Sequence, residues 1–211
     1  MGSGRRCLAA LVAVVVGYVV VLRGRLLTWG VTPAEAGMAL PGDDVLPRSD
    51  LTATRGIAIA ASPEQVWPWL VQLGQGRGGF YSYDALENLV GCDIHSADRI
   101  VPDWQHLEVG DEVHLHPEVA LSVAMVDPDH ALVLRGAVSA TGDQQAPPYD
   151  FTWAFVVRPE GVGGTRLLVR ERYAYTTPSA AALVEPVAVV SFVMTQRMLR
   201  GLRDRAERAA G

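Results

Sequence analysis

The chain has 211 residues, 49% of them hydrophobic and 19% charged, enough apolar matter for one folded domain and too much for a globally disordered chain. All 18 basic residues are arginine, which excludes a Schiff-base lysine, a lysine-bearing phosphate loop and a lysine general base. Beyond the first 25 residues, 14 arginines stand against 23 acids, a balance near −9 that leaves no broad electrostatic reason to bind nucleic acid.

The N-terminus holds a charge-free apolar run, Cys7 to Leu22, flanked by Arg5 and Arg6 before it and by Arg23 and Arg25 after it. As a helix it spans about 24 Å, slightly short of a ~30 Å hydrocarbon core. Snorkelling arginines, with Leu26, Leu27 and Trp29, extend it to a plausible single membrane span over Cys7–Trp29. The rival is a cleaved signal peptide, against which Arg23 and Arg25 stand where small residues would mark cleavage. The arginines on both flanks leave the orientation open. The expected division is an anchor over 1–29, a linker over 30–50 and one domain over 51–211. Cys7 and Cys92 are too differently placed to pair, so Cys92 is a lone thiol.

The linker is rich in Pro, Gly and acid, with a turn at Pro41-Gly42-Asp43-Asp44 and one helical turn at Pro33–Met38. Asp43 and Asp44 could ligate a cation, but neighbouring loop acids are usually just solvated. Leu51–Ala60 suits a first strand. Ser62, Pro63 and Gln65 then form a helix start with a capping box, and Val66, Leu70 and Leu73 follow at helical spacing. Pro68 shortens or bends that helix, and Gly74 ends it. The glycines of Gly74–Gly79 follow a helix, not a strand, so they read as a connection and not as a nucleotide loop. A second short helix is expected over Tyr83–Val90.

After Trp104 the pattern is strand-like: Glu112–His116, Val119–Val126, Ala131–Val138, Tyr149–Arg158 and Thr165–Tyr175, separated by turn chemistry. Ser179–Ala209 closes the chain as a long helix, with Leu183, Val187, Val190, Met194 and Met198 as its expected buried stripe and five arginines near its end. A run of strands with segregated helices argues an α+β domain with an antiparallel sheet, covered on its apolar face by the last helix.

This order resembles the START/birch-allergen/polyketide-cyclase (SRPBCC) superfamily. The likeness is carried by Ser62-Pro63-Glu64-Gln65-Val66-Trp67, Gly79-Phe80-Tyr81-Ser82-Tyr83-Asp84, Ser96-Ala97-Asp98-Arg99-Ile100 and Val109-Gly110-Asp111, the last three in the manner of an actinobacterial-type subgroup. The resemblance implies a helix-grip fold, a curved antiparallel sheet wrapped around the C-terminal helix, with a hydrophobic cavity between them. It implies no single activity.

Alternation sets the inward residues. Phe151, Trp153 and Phe155 share a face with Tyr149 and Val157; Leu167, Val169, Glu171, Tyr173 and Tyr175 share the next, with Arg166, Arg170 and Arg172 opposite. Glu171 is a carboxylate on an apolar face and therefore a candidate general acid or base, or else the partner of Arg99 or another arginine. His95 is the second catalytic candidate. Tyr81, Tyr83, Trp153, Phe151, Phe155, Tyr173 and Met194 are the expected ligand contacts, within a polar and aromatic region (Tyr81–Arg99) that also holds Asp84, Glu87, Asp98 and Arg99. Glu112, His114 and His116 alternate on a face opposite Val113 and Leu115, where solvent is a simpler partner than metal. No metal and no cofactor is expected. The sequence thus points to a membrane-tethered binder of a hydrophobic or amphipathic small molecule, lipid or polyketide-like. The alternatives are a cyclase- or hydrolase-type enzyme using Glu171 or His95, and a ligand-free interaction module.

Overall fold

The computed structural model describes Gly17, residues 22–139 and residues 147–210. The expected membrane run Cys7–Leu22 lies outside the described residues except for Gly17 and Leu22. Among the described residues, five α-helices and six strands follow in chain order: α1 (Arg23–Leu27), α2 (Pro33–Gly37), β1 (Leu51–Ile59), α3 (Pro63–Val71), α4 (Asp84–Leu89), β2 (Glu112–His116), β3 (Val119–Asp127), β4 (Ala131–Ser139), β5 (Tyr149–Glu160), β6 (Gly164–Tyr175) and α5 (Ala180–Ala210). The strands form one antiparallel sheet in the order β1-β6-β5-β4-β3-β2, so the first strand pairs with the last and closes the order of the meander. The α+β class, the six strands and the long C-terminal helix are as the sequence indicates. Register shifts in β2 and β3 mark bulges, which bend and twist that edge of the sheet.

The inner face carries the main core. Ile57, Ile59, Phe155, Val157, Leu167 and Val169 meet Val66 and Leu70 of α3 and Leu199, Leu202 and Ala206 of α5. At the start of α3 the Gln65 side chain accepts from the Ser62 amide at 2.9 Å, completing the capping box seen in the sequence. Pro68 stands inside α3 without ending it. The far end of α5 is pinned where Glu207 Oε1 accepts from the Ala60 amide at 2.8 Å.

The outer face is also buried, by residues expected to be a linker. Leu40 packs on Val156 and Leu168, with Val31 and Met38 beside them. The three outward arginines of β6 hold this strap by charge. Arg166 meets Glu35 at 2.7 Å, while Arg170 and Arg172 reach the two carboxylate oxygens of Asp43 at 2.6 and 3.2 Å. Arg170 also donates to the Met38, Glu35 and Ala36 carbonyls and to Thr54 Oγ1. The Arg166 guanidinium holds the Glu35 carboxyl down at about 2. Asp43 is thus an arginine partner, not a solvated loop acid. Residues 30–50 belong to the domain, because a sheet apolar on both faces needs cover on both.

Two further corrections concern the helices. Residues 23–29, expected to lengthen the membrane span, are docked on the protein: Arg23 pairs with Glu185 at 2.7 Å, the Leu26 carbonyl accepts from Arg55, and Trp29 lies edge-on to Phe192. On α5 the buried side is Val184, Ala188, Thr195, Met198, Leu199 and Leu202, whereas Leu183, Val187 and Val190 are exposed. Of the expected stripe, Met198 is buried and Met194 lines the cavity, while the first half is turned by about one residue, or 100°. The first half of the helix is apolar all round, so hydrophobicity did not select a side there.

Candidate functional site

Where α5 crosses the inner face it does not pack solid. A cavity of about 210 Å³ lies among Phe80, Ser82, Glu87, Leu115, Phe151, Trp153, Glu171, Tyr173, Ser191, Met194, Thr195 and Met198. The sheet supplies its aromatic wall by strand alternation. Phe151 lies against Tyr173 at 4.7 Å between ring centres, and Trp153 lies against Phe155 at 4.7 Å and Phe80 at 6.1 Å. Helix α5 supplies Ser191, Met194, Thr195 and Met198 at helical spacing, and α4 supplies Glu87.

One side of the cavity is a buried charge network. Arg55, on the inner face of β1 and 1% exposed, donates to Glu171 Oε1 at 2.8 Å. Ser191 Oγ donates to the same carboxylate at 2.6 Å, Thr195 Oγ1 at 3.1 Å and the Tyr173 hydroxyl at 3.4 Å. Arg55 further donates to the Leu26 and Ala188 carbonyls. This explains the turn of α5: its polar Ser191 and Thr195 face inward because a buried ion pair needs its remaining hydrogen-bonding capacity met. Burial and the neighbouring Glu171 carboxylate push the Tyr173 hydroxyl well above its ordinary range. Glu171 pairs with Arg55, not with Arg99, and its oxygens are fully engaged.

The opposite side carries Glu87, whose surroundings are the reverse. Its Oε2 is buried without a hydrogen-bond partner among the described residues, and so is Trp153 Nε1. Burial, with the Asp84 carboxylate one turn away, raises the Glu87 carboxyl to about 7. Asp84 itself is occupied, accepting from the Ser96 amide and hydroxyl. Burial together with Glu87 raises the Cys92 thiol, which makes it a poor nucleophile.

Of the residues singled out in the sequence, Phe151, Trp153, Tyr173, Met194 and Glu171 come together at the cavity. Phe155 is fully buried beneath Trp153. Tyr81 is buried elsewhere: its hydroxyl donates to the Trp69 carbonyl, accepts from Gln72, and its ring lies under Arg205. Tyr83 is exposed before α4. The His95 side chain is 84% exposed, beside Asp93 at 3.3 Å, and does not face the cavity. These three share a stretch that the chain splits between a buried anchor and a surface loop, a division that composition does not show. Glu87, Ser191 and Thr195 were not singled out as contacts. Glu87 had a signal, an acid at a helix position beside Leu86 and Val90, whereas nothing local marks Ser191 or Thr195 as inward. His114 and Glu112 lie 3.5 Å apart on β2, and no three His, Cys, Asp or Glu converge as a metal set among the described residues.

No protein-family model and no curated protein matches the sequence. Solved structures of similar layout include norcoclaurine synthase from Thalictrum flavum, 16% identical over 73% of this chain and 84% of that one, with a TM-score of 0.44. A Mesorhizobium loti protein is 17% identical over 75% of this chain and 98% of its own, at 0.45. A hypothetical protein from Helicobacter pylori is 14% identical over 80% and 95%, at 0.49.

Proposed function

We propose that this protein binds a small amphipathic molecule, one ring or a short apolar chain with a hydrogen-bonding head, beneath its C-terminal helix, and does so at a membrane entered by Cys7–Leu22. The observation that carries the binding is an aromatic-walled cavity whose half-buried Glu87 has one carboxyl oxygen buried without a partner among the described residues, as is Trp153 Nε1. An unpartnered buried polar group costs about 1–3 kcal/mol, and a ligand that satisfies it recovers that energy. Size narrows the class. An apolar cavity of about 150 Å³ accepts benzene, and pockets for drug-sized ligands run about 300–1,000 Å³. A cavity of about 210 Å³ fits a single substituted ring and not a whole diacyl lipid. The sequence resemblance to the SRPBCC superfamily supports the same reading.

Titrating the protein with size-matched single-ring alcohols, amines and acids, read by tryptophan fluorescence, tests the proposal. Leu115→Trp, which fills the cavity, should abolish binding while the protein still unfolds cooperatively. If no compound binds up to its solubility limit, or if filling the cavity changes nothing, the reading fails.

A second reading is favoured by one feature, the Glu87 carboxyl near 7. Such a group is half protonated at neutral pH, so it can give or take a proton from a bound molecule. Glu171, bound to Arg55, Ser191 and Thr195, would orient the helix. Under this reading Glu87→Gln binds ligand but does not turn it over, and a variant that binds and turns over as the parent does would contradict it.

A further inference from the structure

Eleven large hydrophobic side chains stand exposed among the described residues, and nine of them fall in three segments: Leu22, the region of α4 and the first half of α5. Leu89 is 82% exposed and Val190 62%. By length and composition α5 could cross a membrane, and only 28% of its most apolar eighteen residues is buried. Scattered exposed hydrophobics are ordinary on a soluble surface; a clustered set marks something that covers it. Two of these segments also line the cavity, α4 through Glu87 and α5 through Ser191 and Met194.

The charges show which cover fits. From Ala180 to Val193 the only ionisable side chain is Glu185, and Arg23 neutralises it at 2.7 Å. Arg23 is also the first residue after the apolar run Cys7–Leu22. Because α1 is docked through Arg23 and through the Leu26 carbonyl, no free linker separates that run from the exposed side of α5. A helix of sixteen uncharged residues, about 24 Å long, finds its stable place in hydrocarbon. Wherever it inserts, the start of α5 is held beside the surface, because the residue that follows the run is paired with Glu185. A second copy of the chain could cover the patch but would leave the run in water.

We infer that the domain rests on a lipid bilayer through the apolar side that flanks its cavity, with Leu183, Val187 and Val190 of α5 and Leu86 and Leu89 of α4 in the interface. This rests on the reading that Cys7–Leu22 enters a membrane. The cavity then opens beside the lipid, and an amphipathic ligand passes between bilayer and protein without crossing bulk water.

The test uses the full chain with Cys7→Ser and Cys92→Ser, carrying an environment-sensitive fluorophore at Val190→Cys, at Leu89→Cys, or at Val162→Cys. Val162 is fully exposed in the β5–β6 turn, away from the patch. Each protein is reconstituted into phosphatidylcholine vesicles with or without brominated acyl chains. The expected result is loss of fluorescence at Val190 and Leu89 but not at Val162, unchanged by high salt because the contact is apolar. Vesicle flotation separates the two claims. Protein that floats but whose Val190 or Leu89 label stays as bright as the Val162 label overturns the docking surface alone. Protein that does not float overturns the anchor and the surface together.

Discussion

Glu87 and Glu171 are both carboxylates on one cavity, and their surroundings divide their chemistry. Glu171 has an arginine and three hydroxyl donors, whereas Glu87 has buried apolar neighbours and a second acid. The folded protein raises the Glu87 carboxyl from 4.5 to about 7, so between those values it holds the proton more tightly than the unfolded chain does. Stability from this residue is therefore highest at the acid end and is lost as pH rises through that window. Glu87→Gln removes the penalty: at pH 8 the variant should be more stable by about 1–2 kcal/mol, after discounting for the part of the group that solvent screens, with the gain gone by pH 4. Urea unfolding at the two pH values measures it. For the Arg55–Glu171 pair, Arg55→Met leaves a buried charge unpaired and should cost about 3–5 kcal/mol. Adding Glu171→Leu should recover most of the loss, since a well-packed apolar pair replaces a buried ionic one at small cost. A double-mutant cycle with additive losses would show that the two do not act as a unit.

At the scale of elements, α5 shows how tertiary demand overrides local preference. Glycine in a helix interior is ordinarily about 1 kcal/mol worse than alanine. At Gly201 the order should reverse, because a β-carbon there would run into the Tyr81 carbonyl. Tyr81 already holds a left-handed backbone, φ 57°, to bring that carbonyl against the helix. Gly201→Ala should therefore destabilise by about 1–3 kcal/mol, the usual range for overpacking, and should loosen the Tyr81 hydroxyl from Trp69. A rise in melting temperature for this variant would contradict the close approach.

Across the whole molecule, the sheet is a middle layer between α3 with α5 on one side and the 30–50 strap on the other. Asp43 joins the strap to Arg170 and Arg172, so Asp43→Ala should cost about 2–3 kcal/mol. It should also speed amide exchange across residues 31–46 more than across α3. Equal acceleration of both would mean the strap is no separate unit. Because the Arg166 partnership lowers the Glu35 carboxyl to about 2, its contribution is present above about 4.5 and lost as pH falls through that window.

The strand alternations, the capping box at Ser62 and the turn residues were enough to read the α+β class and the β strands, because each depends on neighbours two to four positions away. The aromatic wall was legible for the same reason: once Phe151 and Trp153 share a strand face, the core side follows. What the sequence could not determine was pairing between distant segments. Nothing near Arg55 marks Glu171 as its partner, and nothing near Asp43 marks the β6 arginines. The side that α5 turns inward, and hence whether its apolar stripe is core or surface, was decided only when the buried Arg55–Glu171 pair drew Ser191 and Thr195 toward it. Desolvated charge had to be satisfied there, and that requirement outweighed the burial of a few valines.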